Sequence, residues 1–135
     1  AFSDNMAASA AYWIGSQADE FTVTASSQIG SIGVYMVIPN LEEYYAAQGI
    51  KFEVIAAGIH KAAGAEGLPL TAEQRAYLQA SVESTRDEFR ESVRRKRRFV
   101  QDADMEGQVF TGREAAAKGL VTGIVQNLRE ALSTF

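Results

Sequence analysis

Short apolar runs alternate with helical segments along this chain, and this alternation is the feature that most constrains its fold. The predicted strands cover residues 20–25, 34–38, 51–56 and 121–125, and the predicted helices cover residues 6–17, 41–48, 71–98, 111–119 and 126–135. Strands that alternate with helices typically form crossover units around a parallel sheet. The sequence therefore predicts an α/β domain with a parallel sheet flanked by helices. The wholly apolar run at 34–38 is expected to be a central strand.

Capping signals define the ends of two of these helices. Thr71 and Gln74, and then Thr111 and Glu114, have the spacing of a capping box, in which each side chain bonds the other residue's backbone N–H. The second of these helices is expected to stop at Gly119. The first carries an apolar stripe formed by Leu78, Val82, Phe89 and Val93. The stretches 26–33 and 57–70 are predicted to be loops.

Length and charge narrow the classes of protein to consider. A chain of 135 residues provides one hydrophobic core, so residues 1–135 are taken as a single domain portion. Its net charge of −4 offers no general attraction to nucleic acid. No run approaches the roughly 20 apolar residues of a membrane-spanning helix. The sequence has no cysteine, which excludes disulfides and Cys-ligated zinc.

Ser9 and Lys61 are the candidate catalytic residues. Ser9 lies among alanines, which leave room for a substrate backbone to approach its hydroxyl. With no cysteine and a single histidine, His60, the chain has few partners for a nucleophile. A lysine can serve as the general base once its surroundings favour the neutral amine. The pair therefore indicates a serine–lysine hydrolase, in which Ser9 would lie in the first turn of the helix predicted over 6–17.

Several segments of the chain resemble the signal peptide peptidase A family of serine–lysine peptidases, peptidase family S49. They are Ala-Ser-Ala-Ala-Tyr-Trp at 8–13, Ala-Asp at 18–19, Gly-Ser-Ile-Gly-Val at 30–34, Gly-Ile-His-Lys at 58–61 and the segment 108–120. They occur in the family's order over nearly the whole chain. The resemblance implies the Clp/crotonase-like spiral fold, with a parallel sheet flanked by helices, and a peptidase that uses no cofactor and no metal.

The resemblance also implies a role for each matched residue. Ser9 corresponds to the nucleophile, Lys61 to the general base, and Ser31 to the serine that orients the lysine. The backbone N–H of Ala10 would form one half of the oxyanion hole. The other half in this family comes from a glycine on an upstream strand, so an N-terminal part of the domain is expected to be missing from this chain.

The resemblance suggests partners as well. Alanines at 10 and 11, where bacterial signal peptide peptidases usually carry glycines, are more typical of the phage and prophage branch, which includes capsid-maturation proteases. The expected substrates are signal peptides or, in a phage protein, capsid and scaffold proteins, and family members assemble into homo-oligomeric rings. The protein is expected in the cytoplasm if it is phage-type. Membrane association is expected only through the missing N-terminal part.

Two other features have a structural interpretation that competes with a functional one. The basic run Arg94–Arg98 could bind nucleic acid, but acidic residues precede it on the same helix, and a solvated basic helix end is the preferred interpretation. His60 is interpreted as a loop histidine, because nothing nearby in the sequence completes a metal site. No nucleic-acid partner is therefore predicted.

Two alternatives to a peptidase remain. The chain could be a catalytically incomplete fragment that acts as an assembly subunit, which the absent oxyanion strand favours. It could also be a crotonase-fold protein that binds acyl-CoA. The combination of Ser9, Ser31 and Lys61 argues against acyl-CoA binding, because an enolate-stabilising site needs backbone donors and not a nucleophile.

Overall fold

A computed structural model describes residues 1–133, which divide into two compact units. The first unit combines residues 1–34 with the chain from Thr85 onward, and the second is Tyr35–Ser84. The strands are β1 (Phe2–Ser3), β2 (Met6–Ala8), β3 (Thr22–Val23), β4 (Gln28–Gly30), β5 (Val109–Thr111) and β6 (Gly123–Ile124). The α-helices are α1 (Ala10–Ser16), α2 (Glu42–Ala47), α3 (Ala72–Lys96), α4 (Gly112–Ala117) and α5 (Leu128–Leu132), and a short 3-10 helix covers Asp102–Asp104.

All six strands belong to the first unit and form two small sheets. One sheet has the order β1-β3-β6, and both of its strand pairs are parallel. The other has the order β2-β4-β5, with β2 and β4 parallel and β4 and β5 antiparallel. The predicted α/β class with parallel strands and flanking helices is confirmed, and it is the architecture expected of a Clp/crotonase-like domain.

Local signals located most of the helices correctly. Thr111 caps α4, because its hydroxyl accepts from the Glu114 N–H and the Glu114 carboxylate accepts from the Thr111 N–H. Thr71 and Gln74 form the same reciprocal pair before α3, at 3.1 and 3.2 Å. The helix predicted over 41–48 is present as α2, and the strands predicted over 20–25 and 121–125 are present, shortened, as β3 and β6. The final helix is shorter than predicted, and its last two predicted residues lie outside the described part of the chain.

The strands predicted over 34–38 and 51–56 are wrong. Both runs lie largely or wholly in the second unit, where residues 35–84 contain no strand. Their apolar side chains are exposed, with Tyr35 at 87% and Ile55 at 97%. A strand needs a neighbouring strand to satisfy its backbone groups, and apolar composition alone does not supply one.

The helix predicted over 6–17 and the loop predicted over 26–33 are both wrong in part, and for the same reason. Met6–Ala8 is a strand, and it pairs in parallel with Gln28–Gly30, with Ala7 opposite Ile29. The helix begins only at Ala10. Alanine favours helix locally, but pairing between segments 22 residues apart overrides that preference here.

Stacked and hydrogen-bonded side chains fix α1 in the core of the first unit. The indole of Trp13 stacks on the ring of Phe89 in α3, with 4.5 Å between centroids and 6° between planes. The buried hydroxyl of Tyr12 donates to the carbonyl of Leu120 at 2.8 Å, and burial raises the pKa of this phenol. The helix that follows Ser9 is therefore anchored by contacts to two other parts of the unit.

The basic run at the end of α3 is largely paired within the first unit, so the expectation of a solvated helix end is wrong for part of it. Arg97 is only 5% exposed, and its guanidinium donates to the carbonyl of Ala18, just beyond α1, at 2.8 Å. Lys96 forms an ion pair with Asp19 at 2.7 Å, and this hydrogen bond lowers the pKa of the Asp19 carboxyl. Arg94 pairs with Asp102. The bonds of Lys96 and Arg97 join the C-terminal end of α3 to the segment after α1, and the Arg94 pair joins α3 to the 3-10 helix.

A methyl group at Gly112 should destabilise the first unit. A Cβ built on Gly112 would lie 2.0 Å from the carbonyl oxygen of Thr24, which is backbone and cannot move aside. We expect Gly112→Ala to lower the free energy of unfolding by roughly 1–3 kcal/mol, the usual cost of overpacking, although alanine normally favours a helix. Denaturant titration measures the change. Gly123→Ala is the control, because its added Cβ would make only an ordinary contact of 3.7 Å with Thr22; equal losses in both variants would contradict the explanation.

Candidate active site

Ser9 occupies the sharp turn between β2 and α1. Its backbone angles, φ 54° and ψ −125°, lie in a region that residues other than glycine rarely adopt. Its N–H donates to the carbonyl of Gly30 at 2.9 Å, and its own carbonyl accepts the N–H of Trp13 at 2.9 Å. The turn is therefore held on the sheet side by β4 and on the other side by the first turn of the helix.

Ser9 combines this backbone conformation with exposure to solvent. A non-glycine residue held at positive φ costs on the order of 1–3 kcal/mol, and such residues persist where the surrounding structure determines them. The α/β-hydrolases place their nucleophilic serine on a strained strand–turn–helix of this kind, where the hydroxyl is exposed. Ser9 is exposed in the same way, and it precedes the helix, whereas the sequence placed it within the first helical turn.

The residues after Ser9 leave its hydroxyl accessible. Ala10 and Ala11 are both exposed, and their methyl groups occupy little space. Ala10 is the first residue of α1, so its backbone N–H has no acceptor within the helix. This N–H directly follows Ser9 in the chain.

Ser31 lies close to Ser9 because β4 brings the two segments together. The Ser9 N–H bonds to the carbonyl of Gly30, the residue directly before Ser31. Ser31 also has a positive φ of 53°, and its N–H donates to the carbonyl of Gln108 at 2.7 Å. The two serines are thus on neighbouring strand ends, each in a left-handed backbone conformation. The structure brings together two of the residues that the sequence singled out.

Gly30 belongs to the motif at 30–34, but the sequence assigned it no role in this arrangement. Its φ is +118°, and a Cβ at this position would lie 2.7 Å from the carbonyl oxygen of Gln108. Only glycine fits at this position, where the Gly30 carbonyl accepts the Ser9 N–H and the N–H of the next residue, Ser31, donates to the carbonyl of Gln108. A glycine in the stretch 26–33 was the sequence signal for an unusual backbone conformation. The close approach of the Gln108 carbonyl could not be inferred from the sequence.

Lys61 lies in the second unit, on an exposed turn. Its N–H donates to the carbonyl of Gly58 at 3.1 Å, and the carbonyl of His60 accepts the N–H of Ala63 at 3.1 Å. Gly58 and Gly64 bound the turn with positive φ values of 109° and 77°. The loop predicted for this region is confirmed. The role of Lys61 as the base for Ser9 stays a prediction.

Neither a candidate metal site nor a candidate membrane-spanning helix is found among residues 1–133. They contain no group of three or more His, Cys, Asp or Glu side chains arranged to hold a metal ion. None of the helices in that part of the chain combines the length and apolar character needed to cross a bilayer.

Comparison with known protein families assigns the chain to one of them. The model of peptidase family S49 matches residues 1–134, nearly the whole chain. The chain belongs to peptidase family S49. The resemblance to the signal peptide peptidase A family is therefore confirmed, and the strained serine turn lies in the segment that carried it.

Several relatives are 30–32% identical to this chain over the aligned residues. The head-tail preconnector protein of Enterobacteria phage P21 is 32% identical over 98% of the chain, and the capsid assembly protease C of Escherichia phage lambda is 30% identical over 94%. Protease 4 of Haemophilus influenzae is 30% identical over 88%. The chain spans 27%, 29% and 20% of the lengths of these relatives, respectively.

Proposed function

We propose that this S49 chain carries the nucleophile and the general base of a serine endopeptidase. The observation that carries the proposal is the backbone of Ser9, a non-glycine residue at φ 54° on an exposed strand–turn–helix. A strained conformation at a solvent-facing serine is rarely needed for folding alone. Its occurrence in a chain of a peptidase family supports a catalytic role.

In the proposed reaction, the Ser9 hydroxyl attacks the carbonyl carbon of the scissile peptide bond. Its proton passes to the neutral amine of Lys61, and a C–O bond forms as the carbonyl becomes a tetrahedral oxyanion. The lysine then returns the proton to the leaving amine as the C–N bond breaks, which leaves an acyl-enzyme on Ser9. Lys61 next activates a water molecule, which attacks the ester and releases the acid and the free serine.

Two further groups support these steps. The N–H of Ala10 would donate to the oxyanion, and removing one such donor typically costs about 3–4 kcal/mol of transition-state stabilisation. The hydroxyl of Ser31 would orient the Lys61 amine. This role is compatible with the short backbone link between Ser31 and Ser9, through the bond from the Ser9 N–H to Gly30.

The proposed substrates are protein segments. Two phage relatives are named for capsid assembly and for head–tail connection, and two exposed alanines follow the serine of this chain. We propose that residues 1–135 form one portion of the peptidase domain, that the protein cleaves proteins of an assembling particle or signal peptides, and that it works as a homo-oligomer.

Covalent labelling tests the proposed nucleophile. A fluorophosphonate probe should form a stoichiometric adduct, and peptide mapping by mass spectrometry should place the adduct on Ser9. Ser26 is the matched comparison within the same unit, because it is also exposed and lies in a loop. Labelling should be unchanged in Ser26→Ala and absent in Ser9→Ala. An adduct found mainly on another serine would contradict the assignment.

A further inference from the structure

The imidazole of His60 lies flat on the phenol ring of Tyr77. The ring centroids are 4.3 Å apart and the two planes differ by 6°. His60 directly precedes Lys61 in the turn, and Tyr77 belongs to the part of α3 that lies in the second unit. The residue next to the proposed base is thus attached by its side chain to a helix of the same unit.

The ring of His60 is held by its face and not by hydrogen bonds to its buried nitrogen. Nδ1 is buried and has no hydrogen-bond partner among the described residues. The turn's own bonds, from Lys61 N–H to Gly58 and from Ala63 N–H to His60, are local and do not reach α3. The stack on Tyr77 therefore provides a connection between the Lys61 turn and the helix that those backbone bonds do not.

We propose that His60 is a positioning residue for Lys61, acting through its stacked face and not through acid–base chemistry or metal binding. The inference rests on the proposed function, in which Lys61 is the general base. A histidine beside a catalytic lysine would ordinarily be considered a proton carrier, because its charge changes near neutral pH. Here one ring face is covered by Tyr77 and one nitrogen is sealed from solvent, which suits an anchor better than a carrier.

This proposal predicts that a phenyl ring can replace the imidazole. Phenylalanine keeps a flat aromatic face for Tyr77 and removes a buried nitrogen that has no partner, which is costly to leave unsatisfied. Alanine removes the face and releases the turn. A displacement of about 1 Å in a reacting group can cost on the order of 100-fold in rate.

The experiment compares His60→Phe with His60→Ala by steady-state kinetics on an unstructured protein substrate, using the full-length protein. We expect His60→Phe to retain kcat within about threefold. We expect His60→Ala to lose roughly 10- to 100-fold in kcat with little change in KM. From the other side of the stack, Tyr77→Leu should resemble His60→Ala, and Tyr77→Phe should resemble the parent. Tyr44→Leu is the matched control, because Tyr44 is an exposed aromatic residue of the same unit whose ring contacts Tyr45.

Hydrogen exchange supplies a readout that does not depend on catalysis. The amide of Lys61, which bonds Gly58, should exchange faster in His60→Ala than in the parent, and at the parental rate in His60→Phe. Equal exchange in all three proteins would overturn the proposed anchoring. Circular dichroism establishes whether each variant is folded. If His60→Ala does not fold, the comparison of Tyr77→Leu with Tyr77→Phe tests the same stack.

The outcomes separate this inference from the function on which it rests. If Lys61→Met is inactive but His60→Ala is fully active, the positioning role is wrong and the serine–lysine pair stands. If His60→Phe is as inactive as His60→Ala, the imidazole nitrogens are needed and the stacking explanation fails. A fully active Lys61→Met would overturn the proposed function, and this inference with it.

Discussion

Replacing Ser9 with alanine should abolish peptide hydrolysis and leave the protein folded. We expect kcat to fall on the order of 10⁴- to 10⁶-fold, the range seen when a nucleophile that works with a base is removed. Ser9 is exposed, and alanine would adopt the same positive φ, so stability should change little. Turnover of an unstructured protein substrate and circular dichroism of both proteins give the two measurements.

A second substitution at this position separates the effect of backbone strain on stability from the effect of the hydroxyl on activity. Ser9→Gly should be equally inactive, but it should be more stable than the parent by roughly 1 kcal/mol, because glycine adopts φ 54° without strain. Ser26→Ala is the control for loss of an exposed serine hydroxyl in the same unit. A folded Ser9→Ala protein with parental activity would show that the strained turn serves another purpose.

Replacing Lys61 with arginine should remove activity almost as completely. Arginine keeps the positive charge but remains protonated at any pH at which the protein is folded, so it cannot accept the proton from Ser9. Lys61 is exposed on its turn, and the substitution should therefore leave the stability unchanged. We expect at least a 100-fold loss in kcat, the lower end of the contribution of a general base.

The control for this variant is Lys51→Arg, since Lys51 is an exposed lysine of the same unit outside the turn. It should keep parental kinetics. Activity should be compared over a range of pH, so that a shifted optimum is not mistaken for a lost base. A fully active Lys61→Arg protein would exclude lysine as the base and would leave Ser9 in need of another partner.

Signals that act over three or four residues were sufficient to predict where α3 and α4 begin. The capping pairs Thr71–Gln74 and Thr111–Glu114 form as their spacing indicated, since each pair satisfies backbone groups of its own helix. The ordered motifs from 8–13 to 108–120 also identified the family from sequence alone. The structure places Ser9 and Ser31 on adjacent strand ends, and the roles that the resemblance assigned to them stay predictions.

Interactions between distant segments decided the rest. Residues 6–8 form a strand because Gln28–Gly30 pairs with them, and the apolar residues at 34–38 form none because no strand pairs with them in the structure. Arg97 can be buried because its guanidinium donates a hydrogen bond to the carbonyl of Ala18, which lies almost eighty residues earlier in the chain. The strained backbone of Ser9 likewise depends on its bond to Gly30. Local sequence determines where helices can begin, because their hydrogen bonds are local. Strand pairing, burial and strain depend on which distant groups the fold brings together.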